Sequence, residues 1–153
     1  MDNTLFEAQR LRLRGMELTL IWLGYSSACF LEFGNLRTRF HRNGRPFRFP
    51  TGDMSVFLSW SWRIEHGNRI VVGSWSDDDD WQPAFDQVTG SRVLDISHFG
   101  RLPEIVIEFS NGFRILSFMT VEEGPDWNIS SLGPNGEKSR YLCWKDGAFS
   151  EVC

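Results

Sequence analysis

Four dipeptides punctuate this chain: Asn43-Gly44, Asn111-Gly112, Asn135-Gly136 and Asp146-Gly147. Each tolerates positive φ and so suits a tight hairpin. A chain interrupted this often leaves little room for long helices. The intervals hold short apolar or alternating runs at 18–23, 29–33, 57–64, 69–74, 93–99, 104–109, 113–119 and 140–144, and these read as strands. The clearest alternation sets Ile105, Ile107 and Phe109 on one side against Val106, Glu108 and Ser110 on the other. Helix is scarce: 4–10 offers two turns, and 81–88 a second candidate broken early by Pro83. The 13 Phe, 7 Trp and 2 Tyr favour strands as well.

The expected fold is therefore α+β and mainly antiparallel β, with one or two short helices. At 153 residues, with 41% hydrophobic and 24% charged, the chain suits a single domain, 1–153. Its two halves resemble each other. Leu13, Gly15 and Leu18 have counterparts in Val88, Gly90 and Val93, and Gly24, Glu32, Phe33 and Asn35 recur as Gly100, Glu108, Phe109 and Asn111. An internal duplication is expected, with two related β units at about 13–75 and 88–153 packed together.

Several classes are set aside. No run of about 18 apolar residues exists, so no membrane span is expected. The N-terminus, interrupted by Glu7, Arg10, Arg12 and Arg14, lacks a signal-peptide core. Cys29, Cys143 and Cys153 form no CxxC pair and read as reduced thiols, which points to the cytoplasm. His41, His66 and His98 fall into no metal or hydrolase spacing. No GxSxG elbow, P-loop or GxGxxG occurs, so no catalytic residue and no cofactor is assigned. An enzyme of unfamiliar type, or a small-molecule or metal-binding domain, stands as the alternative.

Two charge clusters remain. Net charge is −4, but residues 1–50 carry eight Arg against four acids, while 51–153 carry eight basic residues against sixteen acidic. The densest acidic segment is Trp75-Ser76-Asp77-Asp78-Asp79-Asp80-Trp81. Adjacent carboxylates repel and resist burial, so an exposed loop is expected here. It could hold a hard cation, although the EF-hand spacing is absent. It could present acid to a basic partner, with Trp75 and Trp81 as anchors, or mimic nucleic acid. It could also be a solvated lead into a helix whose N-terminus favours acid. The opposite cluster, 37–49, alternates Arg with Phe. That pattern suits phosphates and bases, yet a pI near 5.4 weighs against a nucleic-acid binder. A hairpin with Phe inward and Arg outward would explain the alternation equally.

The stretch Gly90-Ser-Arg-Val-Leu-Asp-Ile-Ser-His-Phe-Gly-Arg-Leu-Pro-Glu-Ile-Val-Ile-Glu-Phe-Ser-Asn-Gly112 resembles small uncharacterised bacterial domains of the kind found among toxin-immunity proteins. The resemblance covers mainly 88–120. It implies a non-enzymatic binding protein that neutralises a toxin, carries over no catalytic residue, and leaves the oligomeric state open. Combined with the acidic loop, it makes a basic protein toxin the expected partner.

Overall fold

The computed structural model describes residues 3–121, 126–145 and 148–152; the turn expected at Asp146-Gly147, and Cys153, lie outside them. Helix α1 runs Thr4–Leu13 and strands follow at β1 (Leu18–Leu23), β2 (Cys29–Phe33), β3 (Met54–Leu58), β4 (Trp62–His66) and β5 (Arg69–Gly73). Helix α2 (Asp78–Val88) then leads into β6 (Val93–Phe99), β7 (Glu104–Phe109), β8 (Phe113–Ser117), β9 (Trp127–Leu132), β10 (Lys138–Lys145) and β11 (Ala148–Val152). Every pairing is antiparallel. The protein is α+β and mostly β.

Local rules account for the helices. In α1, Phe6, Gln9 and Leu13 are buried, the i, i+3, i+7 spacing of one helical face, with Glu7 in the first turn and Arg10 and Arg12 in the last. In α2, Ala84, Phe85 and Val88 face inward. This helix starts three residues before the expected 81, because three aspartates favour the positive end of the helix dipole. Pro83 sits inside it without ending it. Just beyond each helix a glycine, Gly15 or Gly90, adopts φ of 84° or 96°, a left-handed turn that a side chain would oppose.

The strands form two sheets, ordered β1-β2-β3-β9-β10-β11 and β5-β4-β8-β7-β6. Neither sheet comes from one half of the chain. Residues 13–75 supply β1, β2 and β3 to the first sheet and β4 and β5 to the second. The later half supplies β6, β7 and β8 to the second and β9, β10 and β11 to the first. The single run expected at 57–64 is broken at Ser59–Ser61, where the chain leaves one sheet for the other. A second crossing lies between β8 and β9, and the two crossings touch through Ser59 N–H to the Asp126 carbonyl at 3.1 Å. Strands β9 and β11 fall in polar stretches that alternation did not single out.

The two sheets meet along their edges β1 and β6. Gly15 N–H donates to Val93 and Gly90 N–H to Leu18, both at 2.8 Å; Val93 N–H donates to Met16 and Leu18 N–H to Ser91, both at 2.9 Å. Each pair of bonds exchanges under a shift of 75 residues, and the bridge between them joins Glu17 to Arg92, also 75 apart. The register slip between Leu18 and Leu20 in β1 recurs between Val93 and Asp95 in β6. Inward residues of both sheets and both helices, among them Leu31, Val56, Ile64, Phe85, Ile107 and Ile129, join one contiguous core.

The halves differ most between their second and third strands. Asn111-Gly112 joins β7 to β8 as the tight turn expected, with Gly112 N–H bonded to the Phe109 carbonyl at 3.1 Å. The corresponding connection, 34–53, is an arm. It is pinned by bridges Arg37–Thr51 and Phe40–Pro46, and its turn falls at Asn43-Gly44.

Candidate functional site

The turn between β1 and β2, the crossing at 59–61 and the connection from β5 to α2 lie at one end of the molecule. Together they frame a groove of about 530 Å³ lined by Ser26, Ser27, Trp60, Ser74, Trp75, Ser76, Asp78 and Trp81. Packing forces this arrangement. Trp62 is fully buried, and its indole N–H donates to the Ser27 carbonyl at 2.6 Å, tying the turn to the crossing. Trp60 would share a face with Trp62 in a continuous strand, but the break at 59–61 turns it outward, 44% exposed. The connection after β5 is tight. The Gly73 carbonyl accepts from Ser76 N–H at 3.0 Å and from the Trp81 indole at 2.9 Å, and the Ser76 hydroxyl accepts from Gly73 N–H at 2.9 Å.

Trp81 thus folds back on its own loop and packs against the core. Trp75, at the tip of the same loop, is left 89% exposed. Tyr25, in the turn opposite, is 95% exposed. Ser26 beside it holds φ of +60°, the one non-glycine among the described residues with positive φ. Non-glycine residues rarely stay there unless their surroundings hold them.

Of the residues expected to meet a partner, Trp75, Asp78 and Trp81 share the groove. Asp77, Asp79 and Asp80 are exposed beside it but do not line it. The four aspartates are not the loop expected: Asp77 occupies the N-cap position and Asp78–Asp80 form the first turn of α2. Consecutive helical residues point about 100° apart, so these carboxylates fan out instead of converging. No group of three or more His, Cys, Asp or Glu among the described residues is placed to hold a metal ion. Trp60 and the serines Ser26, Ser27 and Ser74 were not singled out in the sequence, and Ser76 only as part of the acidic segment. Only the Ser-Trp-Ser-Trp run at 59–62 marks the spot, and alternation alone cannot say which Trp leaves the sheet.

Cys29, His66 and His98 sit in structural settings. Cys29 is buried, and burial pushes its thiol well above its ordinary value, so it stays a neutral, unreactive sulfhydryl. The His98 ring meets the edge of Phe6 at 5.1 Å, and exposed His66 ends β4 beside Phe113 at 4.5 Å. No helix among the described residues is long and apolar enough to cross a membrane. A scan against protein-family models found no match, nor did searches of curated proteins and of solved structures.

Proposed function

We propose that this chain is a non-enzymatic binding protein, an immunity-type inhibitor that holds a basic protein toxin at the groove between Trp60, Trp75 and Trp81. The observation that carries the reading is Trp75. Its indole is almost wholly exposed on a tightly bonded loop, although exposing so large an apolar surface gains nothing for the fold alone. Tryptophan is the residue most enriched at interface hot spots. The aspartates explain themselves partly as helix-dipole partners, yet all four remain exposed and give this end a negative field that steers a basic partner. A lumen-like active site with converging acid and base is not needed for such a role.

The test is kinetic. With the basic protein that the chain captures, changing Asp77–Asp80 together to Asn should slow association markedly at low salt and little at high salt, where screening already removes the steering. Trp75→Ala should instead speed dissociation, by a factor matching about 2 kcal/mol if the indole is a hot spot. Capture that responds to neither change overturns the reading.

A further inference from the structure

The arm at 34–53 leaves and rejoins the first sheet at the end opposite the groove, where Phe33 pairs with Met54, and folds back over the sheet to bring Phe49 onto Trp22. Residues 34–52 contain five Arg and no Asp or Glu. The base of the arm is anchored by stacked rings: Phe49 lies 4.8 Å from Trp22, and Trp22 lies 3.9 Å from Phe30 at an interplanar angle of 3°. Arg37 pairs with Asp53 at 3.7 Å.

Beyond that base the arrangement changes. Arg outward and Phe inward would satisfy the fold, but Phe40 is 63% exposed and Phe47 37%. The Phe47 ring carries His41 stacked at 3.8 Å and the Arg39 guanidinium at 5.2 Å. Arg42 and Arg45, at the tip, are exposed and form no ion pair among the described residues. The corresponding connection in the other half has none of this, since β7 and β8 are joined by a tight turn. The arm is therefore an addition that the two-sheet scaffold does not require.

We propose that the arm binds single-stranded nucleic acid, with a base stacked on Phe40 and phosphates held by Arg42 and Arg45. Aromatic faces interleaved with positive charge are how single strands are held without regard to sequence. Planar guanidinium groups suit phosphate oxygens as well. An acidic protein surface would match the charge but would leave the exposed Phe40 ring unused. The overall charge of −4 does not prevent this. Residues 34–52 themselves carry five Arg and no acidic residue, and with a screening length of about 8 Å at physiological salt it is this local charge that a nucleic-acid strand meets.

Fluorescence anisotropy with a labelled oligothymidylate of about a dozen residues tests the proposal. Binding should weaken with salt, and Arg42→Ala with Arg45→Ala should flatten the slope of log affinity against log salt by about 1.4, or 0.7 per lost phosphate contact. Phe40→Ala should weaken binding about tenfold. All three positions are exposed, so thermal melts of these variants should match the parent. Absence of binding at low salt overturns the proposal, as does binding that neither variant alters. Displacement of the oligonucleotide by polyglutamate of equal charge at equal concentration also overturns it, because the arm would then be a general docking face for acidic protein.

Discussion

Trp62 and Trp127 make the same bond in opposite directions between the sheets. The buried Trp62 of the second sheet donates its indole N–H to Ser27, in the first hairpin turn of the first sheet, at 2.6 Å. The buried Trp127 of the first sheet donates to the Pro103 carbonyl, in the turn between β6 and β7 of the second, at 3.0 Å. Ser27 and Pro103 stand 76 residues apart, the offset that also relates Glu32 and Phe33 to Glu108 and Phe109. Each crossing of the chain between sheets therefore ends on a tryptophan bonded back to a hairpin turn of the sheet it has just left.

A chain exchanged in this way should not divide into independent halves. Fragments 1–75 and 76–153 each lack the strands that complete their sheets, since β3 pairs with β9 and β4 with β8. Neither fragment alone should melt cooperatively. Their equimolar mixture should recover strand structure and a cooperative transition by circular dichroism. A fragment that folds alone would show that the exchange contributes little to stability.

Trp75 and Trp81 should behave differently in the free protein. Trp75→Ala removes a side chain with almost no packing, so stability should change by no more than about 0.5 kcal/mol. Trp81→Ala removes core contacts and the bond to Gly73, and should cost about 2–4 kcal/mol. Denaturant unfolding of the two variants separates the anchor for a partner from the anchor of the loop.

Arg10 donates to both carboxylate oxygens of Asp95, at 2.7 and 2.9 Å, linking α1 to β6. These bonds hold the Asp95 carboxyl below its ordinary value against the upward pull of partial burial. A lowered carboxyl favours the folded state above the unfolded value, about 4, and that contribution is lost as pH falls through the lowered one. Asp95→Asn should therefore reduce Tm at neutral pH, and reduce it progressively less below about pH 4. The effect should be a few degrees at most, because water screens a pair about one-third exposed. Equal losses at all pH values would mean that shape, not charge, matters here.

Gly52 is where the arm returns against β2. A Cβ there would lie 2.4 Å from the Phe33 carbonyl oxygen and 2.6 Å from its nitrogen, both backbone atoms that cannot step aside. Gly52→Ala should destabilise the protein by about 1–3 kcal/mol. Gly44→Ala meets nothing within 4 Å but opposes a φ of 83°, so its cost should come from backbone strain, about 1 kcal/mol. Comparing the two by thermal denaturation separates close approach from conformation.

What could be read along the chain was local. The alternation through Ile105, Ile107 and Phe109, followed by Asn111-Gly112, specifies a hairpin because side-chain period and turn φ are properties of neighbouring residues. The four aspartates mark a helix start for the same reason, although electrostatic repulsion suggested a loop. What depended on the folded molecule was which edges meet. The chain-entropy cost of closing a loop rises only slowly with its length, so spacing along the sequence cannot say whether β3 pairs with the next strand, β4, or with β9, about 70 residues on. That choice breaks 57–64, buries Trp62 and turns out Trp60. The tight bonding after β5 likewise buries part of Trp81 and exposes Trp75. The groove is made of residues that the fold left outside once the core was satisfied, and no local pattern records which those are.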